Sequence, residues 1–178
     1  AAGFALTLKQ MPRRQEAPEG SLVRHARIVN EHSTYGDILV IDVGGRTDVN
    51  SGGAILTMLA QKKGFTGWVV NGCLRDVEEI AEQRFPVYFK GSTPSRSVPV
   101  LETVGVNIPV EIGGIQILPG SFIVFDDTGM VVIPENRVEE VLEKSQQISL
   151  REAYQIELLN QGMDLFESMK LAKDKFPL

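Results

Sequence analysis

An arginine and an aspartate stand side by side at Arg75 and Asp76, between an apolar strand and a helical pattern in the segment GCLRDVEEI. Asp76 and Glu79 fit a capping box, in which both side chains accept hydrogen bonds from free N–H groups of the first helical turn. Alternatively, the Arg75 guanidinium binds a carboxylate in bidentate fashion while Asp76 holds a divalent cation. The two interpretations are compatible, since an aspartate can begin a helix and still present a carboxylate to a cation.

A second feature points to the same region. Gly52 and Gly53 come directly before a helical segment, and the unpaired N–H groups of a helix start form a site for a carboxylate or phosphate. Alone this signal is weak, because paired glycines also serve as tight turns. In an open α/β sheet, however, the carboxyl ends of neighbouring strands face one crevice. We therefore expect the loops at 50–54 and 72–76 to lie side by side.

Together these groups would suit a small 2-oxo acid. The helix start and Arg75 would hold its carboxylate, and a divalent ion on Asp76 would contact a carboxylate oxygen and the 2-oxo oxygen. Such an ion acts as a Lewis acid, worth several kcal/mol as an enolate develops. One carboxylate gives a metal ion few protein ligands. However, Mg²⁺ commonly binds only one or two carboxylates and takes its other ligands from water and substrate.

The first half of the chain predicts alternating strands and helices. FALTLKQM alternates apolar and polar residues, as a strand does, and SLVRHARIVNEHS has apolar residues at helical spacing. YGDILVIDVGG and GWVVNG are predicted to be buried strands with a helix between them. This strand, helix, strand order across residues 37–71 predicts parallel neighbouring strands.

The second half changes character. Between residues 86 and 133, short apolar runs are cut by Pro and Gly, which predicts strands joined by tight turns, with DDTG at 126–129 as one turn. Residues 134–178 are predicted to be helical, with Gly162 as a break. We predict a single α/β domain over the whole chain, with 134–178 as a helical C-terminal arm. Its apolar residues favour packing on a neighbouring subunit.

Composition excludes several classes of protein. Of the 178 residues, 43% are apolar and 23% charged, which is typical of a globular domain with a real core. No apolar run approaches the roughly 20 residues of a membrane helix, and no signal peptide is evident at the start, so we expect a cytoplasmic protein without membrane association. The net charge of −5 argues against direct nucleic-acid binding.

Cysteine and histidine are scarce. Cys73 is the only cysteine, which excludes an internal disulfide and a thiolate metal site, so any metal must be held by oxygen or nitrogen ligands. The two histidines, His25 and His32, would be separated by about 10 Å of helical rise, too far to bind one metal ion jointly. We assign both to solvent-exposed or packing roles.

The chain resembles a known family in five successive segments: GDILVIDVGG, GGAILTMLAQKKGFTGWVVNGCLRDVEEI, FPVYFKGSTP, GVNIPVEIGGIQILPGSFIVFDDTGMVVIP and LREAYQIELLNQG. In this order they are similar to the RraA-like family, which joins 4-hydroxy-4-methyl-2-oxoglutarate and 4-carboxy-4-hydroxy-2-oxoadipate aldolases with regulators of ribonuclease E activity. The resemblance covers nearly the whole chain. It includes the core motif, a loop at a helix start followed by an Arg-Asp pair.

The resemblance implies a fold and an activity. The fold is an α/β sandwich like that of swivelling phosphohistidine domains, assembled as a homotrimer or hexamer with active sites at subunit interfaces. The activity is that of a lyase that requires Mg²⁺ or Mn²⁺ and cleaves a 4-hydroxy-2-oxo acid to pyruvate, with oxaloacetate decarboxylation as a side reaction.

The same resemblance implies the residues of the site. Arg75 would bind substrate and Asp76 would bind the metal, and these two would be catalytic. Glu152, from the C-terminal helix of a neighbouring subunit, would approach the metal. Backbone groups at the helix start would bind the pyruvyl carboxylate, namely those of Gly53, Ala54, Ile55 and Leu56.

The sequence departs from the aldolase pattern at Ala54, where aldolase members have an acidic residue and regulator members a glycine. An alanine cannot orient a water molecule or move a proton, which favours binding over full aldol chemistry. Glu79 matches the acidic residue that the regulator motif places after Arg-Asp. Family members usually begin with a further segment before the strand at Ala1, so we expect a trimmed start.

Two functions remain open. The first is a metal-dependent carbon–carbon lyase acting on a short 2-oxo acid. The second is a non-catalytic binding protein that regulates a ribonuclease or another partner through surface residues such as Glu78 and Glu79. We favour the lyase because the anion-binding loop, Arg75 and Asp76 are all present.

Overall fold

The computed structural model describes residues 1–22, 24–31 and 35–178, and the chain divides into two units. The first unit is Ala1–Pro134 and the second is Glu135–Leu178. His32, for which a solvent-exposed or packing role is predicted, lies outside the described residues.

The first unit contains strands and short helices. Its strands are β1 (Ala2–Pro12), β2 (Ile38–Asp42), β3 (Gly67–Leu74), β4 (Val87–Ser92), β5 (Leu101–Val106), β6 (Val110–Ile112), β7 (Ile115–Ile117), β8 (Phe122–Phe125) and β9 (Met130–Ile133). Its helices are α1 (Glu19–Leu22), α2 (Arg24–Glu31), α3 (Ala54–Lys62) and α4 (Val77–Glu82).

Strand β1 is the centre of a mixed sheet with the order β4-β3-β2-β1-β8-β9. The pairs β1–β2, β2–β3 and β3–β4 are parallel, which confirms the parallel neighbours predicted across residues 37–71. On its other side β1 has two antiparallel partners: β8 beside residues 2–4 and β5 beside residues 8–12. Strands β6 and β7 form a separate hairpin.

The central strands of the sheet are buried on both faces. Strands β2 and β3 have every residue buried, as expected for central parallel strands, and their buried residues are apolar except for Asp42 and Asn71 and the two glycines of β3. One apolar cluster packs Trp68 and Ile41 of the sheet against Ile28 of α2 and Ala60 of α3. The helices that carry the predicted ligand groups are thus fixed to the sheet by apolar packing.

The predicted turn at 126–129 joins β8 to β9. Asp126 Oδ1 accepts hydrogen bonds from the N–H groups of Thr128 and Gly129 at 2.8 and 3.2 Å. The two strands pair antiparallel, which confirms the predicted hairpin.

The second unit consists of a short 3₁₀ turn at Glu135–Arg137 and two helices, α5 (Val138–Asn160) and α6 (Leu165–Lys175). Gly162, with φ 86°, lies between the helices and confirms the predicted break. The structure thus confirms the predicted α/β class with helices at the C-terminal end. No helix among the described residues has the length and apolar character needed to cross a membrane.

Candidate functional site

The loop before α3 and the loop after β3 lie side by side. The Ser51 N–H donates to the Cys73 carbonyl at 3.0 Å, and the Arg75 N–H donates to the Gly52 carbonyl at 3.0 Å. The prediction that segments 50–54 and 72–76 share one crevice is therefore confirmed. It follows from the parallel pairing of β2 and β3, which brings their carboxyl ends to the same edge of the sheet.

Gly53 allows the two loops to approach closely. Its φ of −160° is extended backbone, so the glycine is not required by its dihedral angles. A Cβ built at Gly53 would lie 2.2 Å from Asp76 Oδ2 and 2.8 Å from Arg75 Cγ. The absence of a side chain therefore makes room for the Arg-Asp pair against the helix start.

The Asp76 carboxylate faces α3 rather than α4. Asp76 precedes α4 with left-handed backbone angles, φ 55° and ψ 42°, and makes no side-chain cap to that helix. Instead its Oδ2 accepts a hydrogen bond from the Ala54 N–H, the first of α3, at 3.2 Å. The predicted capping box of Asp76 and Glu79 is therefore wrong, because Asp76 caps a different helix from the one that it precedes.

Arg75 is held in place by two partners. Its Nη1 donates to Asn50 Oδ1 at 2.8 Å, and its Nε lies 3.4 Å from Asp76 Oδ2. Asn50 is almost fully buried and is itself fixed, because its Nδ2 donates to the Thr93 and Ser95 carbonyls at 2.9 and 2.7 Å. The Arg75 Nη2 group has no acceptor within the described part of the chain, so it is the group left for a ligand.

The start of α3 provides fewer free donors than the sequence suggests. The Ala54 N–H is taken by Asp76, and the Leu56 N–H donates to the Gly53 carbonyl at 3.0 Å. The N–H groups of Gly53 and Ile55 have no acceptor among residues 1–22, 24–31 and 35–178. Of the four backbone groups predicted to bind a carboxylate, two are thus available without rearrangement.

A cavity of about 470 Å³ opens in front of this helix start. Its lining includes Ser51, Ile55 and three arginines, Arg27, Arg75 and Arg96, and no acidic residue of the described chain. A cavity of this size fits a small organic ligand. Asp76 pairs with Arg75 but lines a separate cavity, so the excess of positive groups here favours an anion, although the chain as a whole is acidic.

His25 of α2 also lines this cavity and is buried. Its Nδ1 lies 3.1 Å from Gln10 Nε2, and Gln10 Oε1 accepts from the Ser51 hydroxyl at 3.1 Å. Burial, and then the charge of Arg75, lower the pKa of His25 from 6.5 to about 4. The ring is therefore neutral at pH 7, and its predicted solvent-exposed or packing role leaves out its place in the cavity wall.

A metal cation at this site would be bound by one carboxylate, that of Asp76. Asp76 Oδ1 has no protein partner in the described ranges, and no group of three or more His, Cys, Asp or Glu residues there is arranged to hold a metal. One free carboxylate oxygen fits a hard divalent ion that keeps water and substrate oxygens as its other ligands. Glu152 is exposed on α5, in the second unit. The metal roles of Asp76 and Glu152 stay predictions.

Comparison with known proteins gives a family match and named relatives. The sequence model of the RraA-like family, described as Aldolase/RraA, matches residues 1–132. The chain is 36% identical to a 4-hydroxy-4-methyl-2-oxoglutarate aldolase of Thermus thermophilus over 110 residues, which are 61% of this chain and 66% of that protein. It is 32% identical to protein DlpA of Legionella pneumophila over 150 residues, 84% of this chain but 24% of DlpA.

The chain therefore spans between about a quarter and two thirds of the length of these relatives. Among solved structures, it is similar to Streptomyces coelicolor RraAS2, an unusual member of the RNase ES inhibitor RraA protein family. That similarity has a TM-score of 0.76 and 30% identity and covers 86% of this chain and 75% of RraAS2. With the family match over residues 1–132 and this shared fold, the chain belongs to the RraA-like family.

Proposed function

We propose that the protein is a divalent-metal-dependent lyase of the pyruvate aldolase type. Its substrate is a 4-hydroxy-2-oxo acid of the 4-hydroxy-4-methyl-2-oxoglutarate or 4-carboxy-4-hydroxy-2-oxoadipate class, cleaved to pyruvate, and oxaloacetate decarboxylation is a side activity. The observation that carries the proposal is the convergence of Arg75 and Asp76 on the start of α3, where the N–H groups of Gly53 and Ile55 have no acceptor among the described residues. The name of the Thermus thermophilus relative supports the same reaction class.

The substrate carboxylate binds between the Arg75 Nη2 group and the N–H groups of Gly53 and Ile55. Hydrogen bonds to a charged group contribute about 1.5–3 kcal/mol each, and the positive end of the α3 dipole adds about 0.3–1 kcal/mol. Arg27 and Arg96 line the same cavity and suit the further carboxylates of these di- and tricarboxylic acids. Because Asn50 and Asp76 hold Arg75, little side-chain freedom is lost when the substrate binds.

Asp76 would hold the divalent cation, Mg²⁺ or Mn²⁺, with Glu152 of another subunit as the predicted second residue. When bound, the cation supplies Lewis-acid stabilisation of the enolate that forms as the carbon–carbon bond breaks. Ala54 presents only a methyl group at the helix start, so it neither accepts nor donates a proton. In this scheme water removes the proton of the 4-hydroxyl group and delivers a proton to C3 as the enolate becomes pyruvate.

We also propose that the chain assembles as a homotrimer or hexamer. The second unit exposes more than half of the side chains of Leu142, Leu150 and Ile156 on α5. Exposed apolar side chains on one long helix favour contact with another protein surface. Sedimentation equilibrium of the purified chain measures the assembly state, and a monomer at micromolar concentration would contradict this proposal.

The test of the lyase is pyruvate release from oxaloacetate and from 4-hydroxy-4-methyl-2-oxoglutarate, with Mg²⁺ and with EDTA. We expect pyruvate release with Mg²⁺ only. We also expect a loss of at least about 100-fold in kcat/KM in Arg75→Ala, because this variant lacks the guanidinium group that binds the substrate carboxylate. Arg137→Ala is the matched control, since Arg137 pairs with Glu140 on the surface of the second unit. Wild-type protein that releases no pyruvate with Mg²⁺ refutes the lyase.

A second variant examines the departure at Ala54. If the missing acid limits aldol cleavage, Ala54→Asp should raise cleavage of the 4-hydroxy acid more than decarboxylation of oxaloacetate, which needs no proton removed from a hydroxyl. Equal effects on both substrates would contradict this explanation.

The alternative function is a non-catalytic protein that regulates a ribonuclease or another partner. Two observations favour it. Position 54 carries an alanine where aldolase members have an acidic residue, and Glu78 and Glu79 are exposed on α4. The similarity to RraAS2 is consistent with this function. It predicts a complex with a ribonuclease that survives EDTA and weakens in Glu79→Lys but not in Arg75→Ala, measured by surface plasmon resonance.

A further inference from the structure

A buried polar chain connects the helix start of the site to His25. The Ser51 hydroxyl donates to Gln10 Oε1, and Gln10 Nε2 lies 3.1 Å from His25 Nδ1. Ser51 and Gln10 are each 1% exposed and His25 is 6% exposed. Burying polar side chains costs free energy unless each polar atom has a hydrogen-bond partner. These hydrogen bonds therefore fix the orientation of all three side chains.

The hydrogen bonds determine which imidazole nitrogen carries the proton. In the structure Gln10 Oε1 faces the Ser51 hydroxyl, which donates to it, and Gln10 Nε2 faces the ring. An amide nitrogen only donates, so His25 Nδ1 is the acceptor and the neutral ring carries its proton on Nε2. The lowered pKa of His25 keeps the ring in this neutral form at pH 7.

The His25 Nε2–H group is the last donor in this series of hydrogen bonds. It has no acceptor within the described ranges, and it is not among the fully enclosed side-chain atoms without a partner there. Because His25 lines the cavity in front of α3, this remaining donor is accessible from the cavity that Arg75 and Ile55 also line. Gln10 does not line this cavity, and the hydroxyl of Ser51, which does, already donates to Gln10 Oε1.

The geometry points to His25 as a substrate-binding residue whose Nε2–H donates a hydrogen bond to an oxygen of the bound 2-oxo acid, with Gln10 and Ser51 as the residues that position the ring. This assignment rests on the proposed function, because it takes the 2-oxo acid as the ligand. It adds a neutral, directional donor to a cavity in which three of the six other polar side chains are arginines. A neutral donor binds oxygen without the desolvation cost of a further buried charge.

Two isosteric changes separate binding from structure. Asparagine places an amide oxygen near the position of Nδ1 and keeps an acceptor for Gln10, but it has no group at the position of Nε2. Glutamine places an amide N–H near the position of Nε2 and keeps the donor. We expect His25→Asn to weaken pyruvate binding and raise KM by about 10-fold to 100-fold with a smaller change in kcat, and His25→Gln to recover most of that loss.

The experiment measures pyruvate binding by isothermal titration calorimetry with Mg²⁺ present, beside turnover and thermal unfolding. Pyruvate that binds the wild type and His25→Asn equally overturns the role of His25. Binding that weakens in His25→Asn and recovers in His25→Gln supports it, even where the wild type shows no turnover and the lyase proposal fails. A wild type that does not bind pyruvate overturns both proposals.

A measurement on the wild type covers the case in which His25→Asn does not fold. The chain has two histidines, so ¹⁵N–¹H correlation of the imidazole groups identifies the protonated nitrogen of His25 directly. We expect the Nε2–H form, and a shift of the Nε2 proton signal when pyruvate is added. A ring protonated on Nδ1, or an Nε2 signal that does not respond to saturating pyruvate, contradicts the inference.

Discussion

Replacing Gly53 with alanine should displace the Arg75–Asp76 pair while leaving the core intact. The backbone of Gly53, at φ −160° and ψ −163°, is one that alanine adopts freely. The added methyl carbon would lie 2.2 Å from Asp76 Oδ2 and 2.8 Å from Arg75 Cγ, whereas ordinary contact begins at 3.4 Å. The Asp76 carboxylate must therefore retreat by about 1 Å to restore ordinary contact.

The expected effect on turnover is much larger than the effect on stability. A displacement of about 1 Å in a positioning group costs about 100-fold in rate. Loss of the hydrogen bond from the Ala54 N–H to Asp76 costs about 1 kcal/mol, and alanine recovers about 0.4–1 kcal/mol by restricting the unfolded chain. These terms nearly cancel, so Tm should change by no more than about 4 °C.

The assay compares kcat/KM for Mg²⁺-dependent pyruvate release with Tm from circular dichroism. Gly129→Ala is the matched control, because a Cβ there meets no atom of the described chain within 4 Å, so kcat/KM should stay unchanged and Tm should rise only by the same unfolded-chain effect, worth about 0.4–1 kcal/mol. Gly52→Ala is the opposite control, because its Cβ would lie 2.3 Å from Trp68 Cη2 in the core, and overpacking there should cost about 1–3 kcal/mol. A Gly53→Ala variant with wild-type kcat/KM would refute the proposed role of this close approach.

Asp76→Asn keeps a side chain that tolerates left-handed backbone and can accept from the Ala54 N–H, so urea unfolding should stay within about 1 kcal/mol of wild type while Mg²⁺-dependent turnover is lost; retained turnover would contradict the metal role. The folded pKa of His25, about 4, lies below its ordinary value of 6.5, so the unfolded state binds more protons between these values. Stability should therefore fall as pH drops from 6.5 to about 4, by on the order of 3 kcal/mol, and urea titrations of His25→Gln should lack this component. Asn50→Ala removes the amide partner of the Thr93 carbonyl and of the Arg75 Nη1 group, while the Ser95 carbonyl keeps the backbone N–H of residue 50. It should lower the free energy of unfolding by about 1–3 kcal/mol, measured by urea denaturation; a loss below about 1 kcal/mol would show that water replaces the amide.

The strands and helices that carry the site were predictable because their residue patterns are simple. Strands β2 and β3 contain the short apolar runs ILVI and WVV, and α3 begins after two glycines and ends near a third. The adjacency of the two loops follows from parallel pairing, a rule of topology that needs no knowledge of side chains. The sequence therefore predicts which loops meet.

The directions of the side chains were not predictable from the same patterns. Asp76 and Glu79 have the spacing of a capping box whatever the backbone angles of Asp76 are, and only its left-handed φ turns the carboxylate to α3. The sequence does not mark His25 as a cavity residue, because the residues that it is hydrogen-bonded to in series, Gln10 and Ser51, lie far from it along the chain. Contacts of this kind depend on how α2 packs on the sheet, and no local motif marks them.

The pairing of strand β1 affects the order in which the sheet forms while the protein is synthesised on the ribosome. Strand β1 precedes every other strand that the structure describes, and its parallel partner β2 follows closely, but its antiparallel partners span Leu101–Val106 and Phe122–Phe125. At a synthesis rate of about 5–20 residues per second, the late partners emerge on the order of ten seconds after β2. During that interval one edge of the future central strand carries unpaired N–H and C=O groups, a state in which nascent chains recruit chaperones or pair with each other.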